Sequence, residues 1–400
     1  MVEADTGFLL ICSMLVFIMT PGLALFYGGL LRKKNVISMF AMCFVTIAVV
    51  GLVWFLLGYS LAFSPSIWNG FIGGFNFIAM SNVSFANPYI IYSADIQHIV
   101  YMIFQLMFAV ITAAIIASPF VERVKFSSFI VFIVIWLLIV YAPIAHWVWG
   151  DGGWLKGLGA LDFAGGTVVH VNAGFSALAI ALVIKQRRGY PKDIGEPSNI
   201  PYVLLGTGLL WLGWFGFNGG SALQANGIAA LAIVNTMFSA CAAGVVWLIL
   251  FWIRTGKAST LALATGILAG LVGVTPAAGF VEPWAAVVIG MCVSAICFLA
   301  LNLRAKSRVD ESLDAWSVHG VGGMWGALAT GIFAVVGATG VIAGNPGQIW
   351  IQLIDILATM GYAFGVSFAL AWILKKTIGL RVTPDEEYIG LDITQHGEKL

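Results

Sequence analysis

Apolar and polar positions along this chain fall into blocks rather than the close alternation of a soluble domain. Apolar runs recur at about 7–31, 37–62, 94–118, 124–144, 161–184, 199–220, 227–253, 259–275, 283–303, 314–338 and 349–375, eleven in all. Each is close to the roughly 20 residues that cross about 30 Å of hydrocarbon. Lipid offers no partner to a backbone N–H or C=O, so single spans of this length are predicted to be helices, which satisfy their own backbone. The fold class expected is an all-α polytopic membrane protein of eleven transmembrane helices. Polar connections are short, the largest being 63–93, rich in Gly, Asn and Ser, and the C-terminal stretch 376–400. Neither suffices for a domain of its own. The chain therefore reads as one membrane domain, 1–375, and a tail of regulatory size, 376–400.

Basic residues orient the spans. Arg32, Lys33 and Lys34 separate spans 1 and 2, Arg123 and Lys125 separate 3 and 4, and Lys185, Arg187, Arg188 and Lys192 separate 5 and 6. Arg254 and Lys257 follow span 7, Arg304, Lys306 and Arg308 follow span 9, and Lys375, Lys376, Arg381 and Lys399 close the chain. Eighteen of the nineteen Lys and Arg thus share one face, with Lys156 alone on the other. The positive-inside rule makes the crowded face cytoplasmic, with the N-terminus outside and the C-terminus inside. The plasma membrane is the expected location. Composition then excludes: with 60% hydrophobic residues, 9% charged and a net charge of +1, neither a soluble domain nor a nucleic-acid partner is expected. Glu3 and Asp5 replace the basic start of a cleavable signal peptide, so none is expected. The five cysteines all fall within spans and read as small packing residues.

Against this background, ionisable residues inside the spans stand out, because each is costly in a bilayer and marks function by default. His170 and His319 lie in DFAGGTVVHVNAG and DAWSVHGVGG, in spans 5 and 10. Because five is odd, a second five-helix unit inserts upside down relative to the first. An inverted 5+5 repeat plus one extra helix places a shared site near the midplane, so the two histidines are expected to meet across one path. Burial disfavours a charged imidazole, so both are expected to be neutral, one donating and the other accepting. The alternative is a hydrogen-bonded pair that only stiffens the bundle. Asp162 and Asp314 open the same spans, where carboxylates are expected to cap free N–H groups and complement the helix dipole.

Trp214, Phe217, Asn218 and Ser221 stand at i, i+3, i+4 and i+7 of span 6, on one stripe. The set reads as a pore mouth, although Trp214 by itself reads equally as an interfacial belt residue. Phe104 and Phe108 share one face of span 3 beside Gln105, and two phenylalanines alone read as packing. Trp149, following span 4 in HWVWGDGG, reads by itself as an interface anchor. No third Cys, Asp or Glu ligand accompanies the histidines, so neither a metal site nor a cofactor is expected. Gly266 with Gly270, and Gly322 with Gly326, have the spacing that lets helices approach closely.

These segments resemble the ammonium transporter/methylammonium permease/Rhesus family. The resemblance is carried by FIMTPGLALFYGGLLRKKN in span 1, DFAGGTVVHVNAG in span 5, GWFGFNGGS in span 6, VHGVGG in span 10 and the tail GLRVTPDEEYIGLDITQHGE. It extends over nearly the whole chain and is similar to the microbial branch, because Trp149 and Ser221 occupy the external-site positions. One departure is Pro119 in ASPFVER, away from the pore positions. The resemblance implies an external site for ammonium or methylammonium at Phe108, Trp149 and Ser221, with Phe104 nearby. It implies a stacked gate of Phe108 and Phe217, twin histidines at His170 and His319, Trp214 as a wall residue, and Asp162 as a structural aspartate near the site. It also implies a homotrimer with one pore per subunit and a cytoplasmic PII-type signal protein as the partner of the tail.

The reading that follows is a transporter for nitrogen uptake. It recruits ammonium on aromatic faces, removes a proton and conducts ammonia past the histidines. Alternatives are an electroneutral channel for ammonia or carbon dioxide, or an ammonium sensor, against which the 25-residue tail weighs. An enzyme is not expected, since the spans carry no paired-acid, serine–histidine or metal constellation.

Overall fold

The computed structural model describes residues 2–400. Helices form where the apolar blocks lie: α1 (Val2–Leu30), α2 (36–63), α3 (His98–Ile115), α4 (126–149), α5 (Gly166–Ile184), α6 (Ile200–Gly220), α7 (Gly227–Thr255), α8 (Thr260–Val274), α9 (Pro283–Ser307), α10 (316–333) and α11 (Gln348–Thr377). Among the described residues nine helices are long and apolar enough to cross a membrane. Predicted spans 8 and 10 appear as shorter helices. Pro276, lacking an N–H, cannot extend the ladder of α8. At the end of α10 the chain turns extended at Ala334, and Val335 and Val336 donate instead to Phe280 O, at 2.8 and 3.0 Å.

α4 differs from expectation at its end, running to Trp149 rather than stopping near 144. Pro143 cannot bond the carbonyl four residues before it, but that carbonyl, Ile139 O, accepts the Tyr362 hydroxyl of α11 at 2.9 Å. A π-helical turn at Leu137–Tyr141 absorbs the misfit. Trp149 thus lies on the last helical turn. Some polar side chains within the bundle are paired with other segments. Trp136 Nε1 donates to Ser176 and Ser367 at 3.1 Å each, and Asn235 Nδ2 donates to Ala278 O and Val281 O at 2.8 Å each. α7, α8 and α10 pack closely where side chains are smallest. A Cβ on Gly270 would lie 2.5 Å from Ser239 O, and one on Gly326 2.4 Å from Gly273 O.

At the face predicted to be external, a small hairpin, β1 (Ser66–Ile67) with β2 (Ile72–Gly73), folds the connection after α2. At the opposite, Lys- and Arg-rich face, loops are tied by charge. Arg187 bridges Glu122 at 2.5 Å and Asp310 at 2.8 Å, and Arg123 reaches the same Asp310 at 3.2 Å. Burial pushes the Asp310 carboxyl up, but Arg123 and Arg187 more than offset this and hold it below the ordinary carboxylate range. The tail continues this cluster through α12 (Pro384–Ile389) and α13 (Leu391–His396). Glu387 joins Arg381 at 2.6 Å and accepts Arg188 N at 2.7 Å. Asn35 Oδ1 accepts Leu391 N at 2.9 Å, and Asp392 accepts Ser38 N at 2.8 Å.

Removing one partner from a buried charge cluster leaves the others uncompensated. Arg187→Leu takes the ion-pair partner from Glu122 and leaves Asp310 with Arg123 alone, and is expected to destabilise the protein by about 3 kcal/mol, read as thermal unfolding in detergent. The wild-type cluster should be intact at neutral pH. A carboxyl held low contributes stability that is lost only as pH falls through its depressed value. An unchanged melting temperature in Arg187→Leu would show the cluster to be solvated in practice.

Candidate functional site

Two broken helices build the site. α5 and α10 both open with a π-helical segment, Gly166–Val171 and Trp316–Gly320, and each segment carries one histidine. The widened turn of a π-segment is a frequent device for aiming a side chain. Four residues past His170, Gly174 packs on α10, where an added Cβ would lie 2.2 Å from Gly320 N. Four residues past His319, Gly323 packs on α5, where a Cβ would lie 2.6 Å from Gly166 O and 3.0 Å from the Cβ of His170. The exchange is reciprocal: each helix offers a glycine to the other's histidine-bearing turn. The result is His170 Nδ1 at 3.2 Å from His319 Nδ1, both rings buried. One ring must donate and the other accept. His170 Nε2 is buried and has no hydrogen-bond partner among the described residues.

At the start of α5, Asp162 serves the backbone. One carboxylate oxygen accepts Gly165 N at 2.8 Å and Gly166 N at 2.6 Å. The other accepts Thr167 N and Thr167 Oγ1 at 2.8 Å each and Val168 N at 3.2 Å. With five donors on two oxygens, the carboxylate is saturated and has little capacity left for a cation. Gln352 of α11 clamps the preceding residue, accepting Leu161 N and donating to Leu161 O, both at 2.8 Å.

Two cavities meet at a pair of rings. The outer one, about 320 Å³, is lined by Phe104, Gln105, Phe108, Trp149, Lys156 and Ser221, among others. The inner one, about 40 Å³, is lined by Tyr27, His170, Trp214, Phe217, Asp314 and His319, among others. Between them the Phe108 and Phe217 rings lie 4.2 Å apart with a 31° tilt. Phe108 also meets Phe104 edge-on at 4.9 Å and Trp149 edge-on at 5.7 Å. Trp149 Nε1 donates to Asp162 O at 2.9 Å, leaving the indole face as its free surface. Ser221 Oγ donates to Phe217 O at 2.9 Å, so its lone pairs remain free to accept a further N–H. Below the rings, His170 stacks on Trp214 at 5.5 Å and on Phe217 at 6.1 Å. Trp214 is held by Nε1 donating to Thr275 Oγ1 at 2.8 Å.

Of the residues singled out from sequence, Phe104, Phe108, Trp149 and Ser221 line the outer cavity, and Phe217, Trp214, His170 and His319 line the inner one. Asn218 faces α7 instead, donating to Thr236 Oγ1 at 2.8 Å. Asp314 requires correction as a cap. Its φ of 60° turns the chain left-handed, and its carboxylate pairs with Arg304 at 2.5 Å. The backbone acceptor at the start of α10 is Glu311, which takes Trp316 N at 3.2 Å and Ser118 Oγ at 2.6 Å. Three acids within five residues (Asp310, Glu311, Asp314) made either assignment compatible with the sequence. Sequence reasoning missed Tyr27 and Thr275, polar residues in apolar spans whose only signal was their depth.

Comparison with known proteins gives one family. The model of the Ammonium Transporter Family matches residues 7–400. The chain is 46% identical over 401 residues to ammonium transporter Amt1 of Archaeoglobus fulgidus, covering 100% of this chain and 99% of that one. It is likewise 46% identical to an ammonium transporter of Bacillus subtilis, with 99% and 98% covered. Among solved structures, Saccharomyces cerevisiae Mep2 superposes with a TM-score of 0.91 at 38% identity, over 96% of this chain and 88% of that one. A sensor Amt protein superposes with a TM-score of 0.92 at 32% identity, over 99% and 98%.

The donor set on Asp162 predicts how its variants behave. Asp162→Ala leaves four buried N–H groups unpaired and is expected to cost about 3 kcal/mol or more of stability. Asp162→Asn, with one accepting oxygen, should fall between. Thermal unfolding alongside ammonium binding decides the matter. An Asn variant that melts with the wild type yet no longer binds ammonium would make Asp162 a ligand instead of a cap.

Proposed function

The chain belongs to the ammonium transporter family, and from this premise we propose that it recruits ammonium at Phe108, Trp149 and Ser221, deprotonates it, and conducts ammonia past His170 and His319. The observation that carries the reading is the division of one path into two chemically different chambers by the Phe108–Phe217 rings. Above the rings are aromatic faces and a free hydroxyl oxygen. An aromatic face attracts a cation by about 0.5–2 kcal/mol. The Ser221 oxygen adds discrimination, because it can accept an N–H that potassium lacks.

Below the rings the passage is narrow and lined mostly by apolar side chains, with Tyr27, Asp314 and the two histidines among them, and an isolated charge in a fully apolar setting costs on the order of tens of kcal/mol. Ammonium escapes this cost by giving up a proton, and potassium has no such route. The ammonia that remains needs stepping stones, and the unpartnered His170 Nε2 beside the paired imidazoles supplies one. Tautomer exchange between the two rings offers a path for the proton as well. On this reading Trp214 is a wall that keeps the imidazole plane fixed, and Asn218, Asp162 and Asp314 are structural. An electroneutral channel for ammonia or carbon dioxide uses the same chambers without the proton path. A sensor reading draws on the likeness to the sensor Amt protein.

The same proposal includes eleven membrane crossings in an inverted 5+5 arrangement plus α11, with the N-terminus outside, the C-terminus inside and the plasma membrane as the location. It further includes a homotrimer, a membrane domain of 1–375, and a cytoplasmic tail, 376–400, that regulates the pore through a PII-type protein. Support for the tail is its docking on Asn35 just before α2, Ser38 in the first turn of α2 and Arg188 in the loop that leads into α6.

Currents on solid-supported membranes with ammonium, methylammonium and potassium test the transport mechanism. Leucine at both His170 and His319 should preserve the fold and abolish proton-coupled current. His170→Asp places a fixed charge in the dry chamber and should admit potassium. Wild-type current and selectivity in both variants would leave the histidines structural. Trp149→Leu and Ser221→Ala should each narrow the preference for ammonium over potassium without lowering the melting temperature. For the tail, uptake and co-purification with a PII-type protein are compared in the full chain and in a chain lacking 381–400. Binding only to the full chain is expected, and absence of binding to either, with equal uptake, would remove the regulatory role.

A further inference from the structure

Lys156 is the one basic residue on the face opposite the other eighteen, and the transport reading gives it no task. It lies on the short helical turn Trp154–Leu158 that follows α4. Its Nζ donates to Trp149 O at 3.2 Å and lies 5.6 Å from the centroid of the Tyr92 ring. Both groups, and Lys156 itself, line the outer cavity with Phe108 and Ser221. A primary ammonium group, an alkyl-substituted form of the cation to be recruited, therefore already rests on a carbonyl and an aromatic face beside the candidate site.

Little in the neighbourhood neutralises it. The Asp162 carboxylate is occupied by five donors of α5. Asp151 attracts the lysine from the start of the same loop without closing an ion pair. Two like charges in a cavity walled by low-dielectric side chains repel more strongly than in bulk water, because the interaction scales inversely with the effective dielectric constant.

We propose that Lys156 is an affinity-setting residue: a tethered ammonium that repels cations approaching the external aromatic site and occupies part of the surroundings that would stabilise them. This rests on the reading that Phe108, Trp149 and Ser221 form that site. The consequence is a weaker apparent affinity than the aromatic cage alone would give, in exchange for release of the cation toward the rings rather than retention above them. Because the effect is electrostatic and partly exposed to solvent, it should be screened by salt.

The test measures ammonium-dependent currents of the full-length protein in proteoliposomes across ammonium concentrations, at low ionic strength and at about 1 M salt, where the screening length is roughly 3 Å. Lys156→Met, which keeps the apolar stem, is expected to lower the apparent KM about 3- to 10-fold at low salt. The difference should shrink at high salt, and Lys156→Arg should keep the wild-type KM. If the lysine only holds the loop in place, Lys156→Met raises KM, and the proposal fails. It fails equally if KM is unchanged or if the shift ignores salt. Trp149→Leu in the same assay separates the two readings. A raised KM there with an unchanged KM in Lys156→Met rejects the lysine's role alone. An unmoved KM in Trp149→Leu rejects the aromatic site, while a salt-sensitive drop in Lys156→Met would still support repulsion by the lysine.

Discussion

The rest of the structure depends on a close crossing of two backbones. α5 and α10 touch at Gly174 on Gly320 and at Gly323 on Gly166, with no room for a Cβ at Gly174 or Gly323. Only that proximity allows two imidazoles, projecting from separate helices, to share one hydrogen bond at 3.2 Å. In a bilayer no hydrophobic force presses helices together, so association depends on close packing and on hydrogen bonds across the interface. Small residues at the crossing supply the first and the histidines supply part of the second. The π-segments complete the arrangement by turning each histidine toward the crossing without ending its helix.

A broken helix in an apolar medium leaves backbone groups that must be paired. The two breaks are resolved differently. At α5 a single carboxylate, Asp162, takes four N–H groups and a hydroxyl, and Gln352 secures the approach to it. At α10 the work is divided, with Glu311 accepting from the backbone and Asp314 pairing with Arg304. The halves are thus alike in their helices and unlike in their ends. That asymmetry matches their surroundings, because one break faces an aromatic vestibule and the other a dense cluster of arginines.

Much of this was legible in the chain. The apolar blocks located the long helices α1 to α11, since a single segment of about 20 apolar residues satisfies its own backbone in lipid only as a helix. The approach of His170 to His319 was expected from two costly residues in similar glycine-rich runs, read as members of an inverted repeat. What stayed hidden was non-local. The end of α4 depends on a hydroxyl from Tyr362 reaching Ile139 O, 223 residues away in sequence. The aromatic vestibule draws Phe108, Trp149 and Ser221 from three helices, and no spacing rule links residues on different helices. The acids near α10 could not be sorted without the left-handed turn at Asp314. The tail's composition did not announce that its short helices would lie against Asn35 and Ser38.

The barrier between the chambers consists of two phenyl rings rather than a hinge between helices. Side chains reorient on picosecond-to-nanosecond scales when free and more slowly when packed, whereas movements of whole helices take microseconds to milliseconds. A passage closed in this way can admit a small neutral molecule while the outline that the protein presents to lipid stays constant. Opening by ring rotation alone would exchange no area with the bilayer, so lateral pressure and membrane thickness would do no work on that step. A gate of that kind would be mechanically silent toward its membrane, unlike one that requires whole helices to rock.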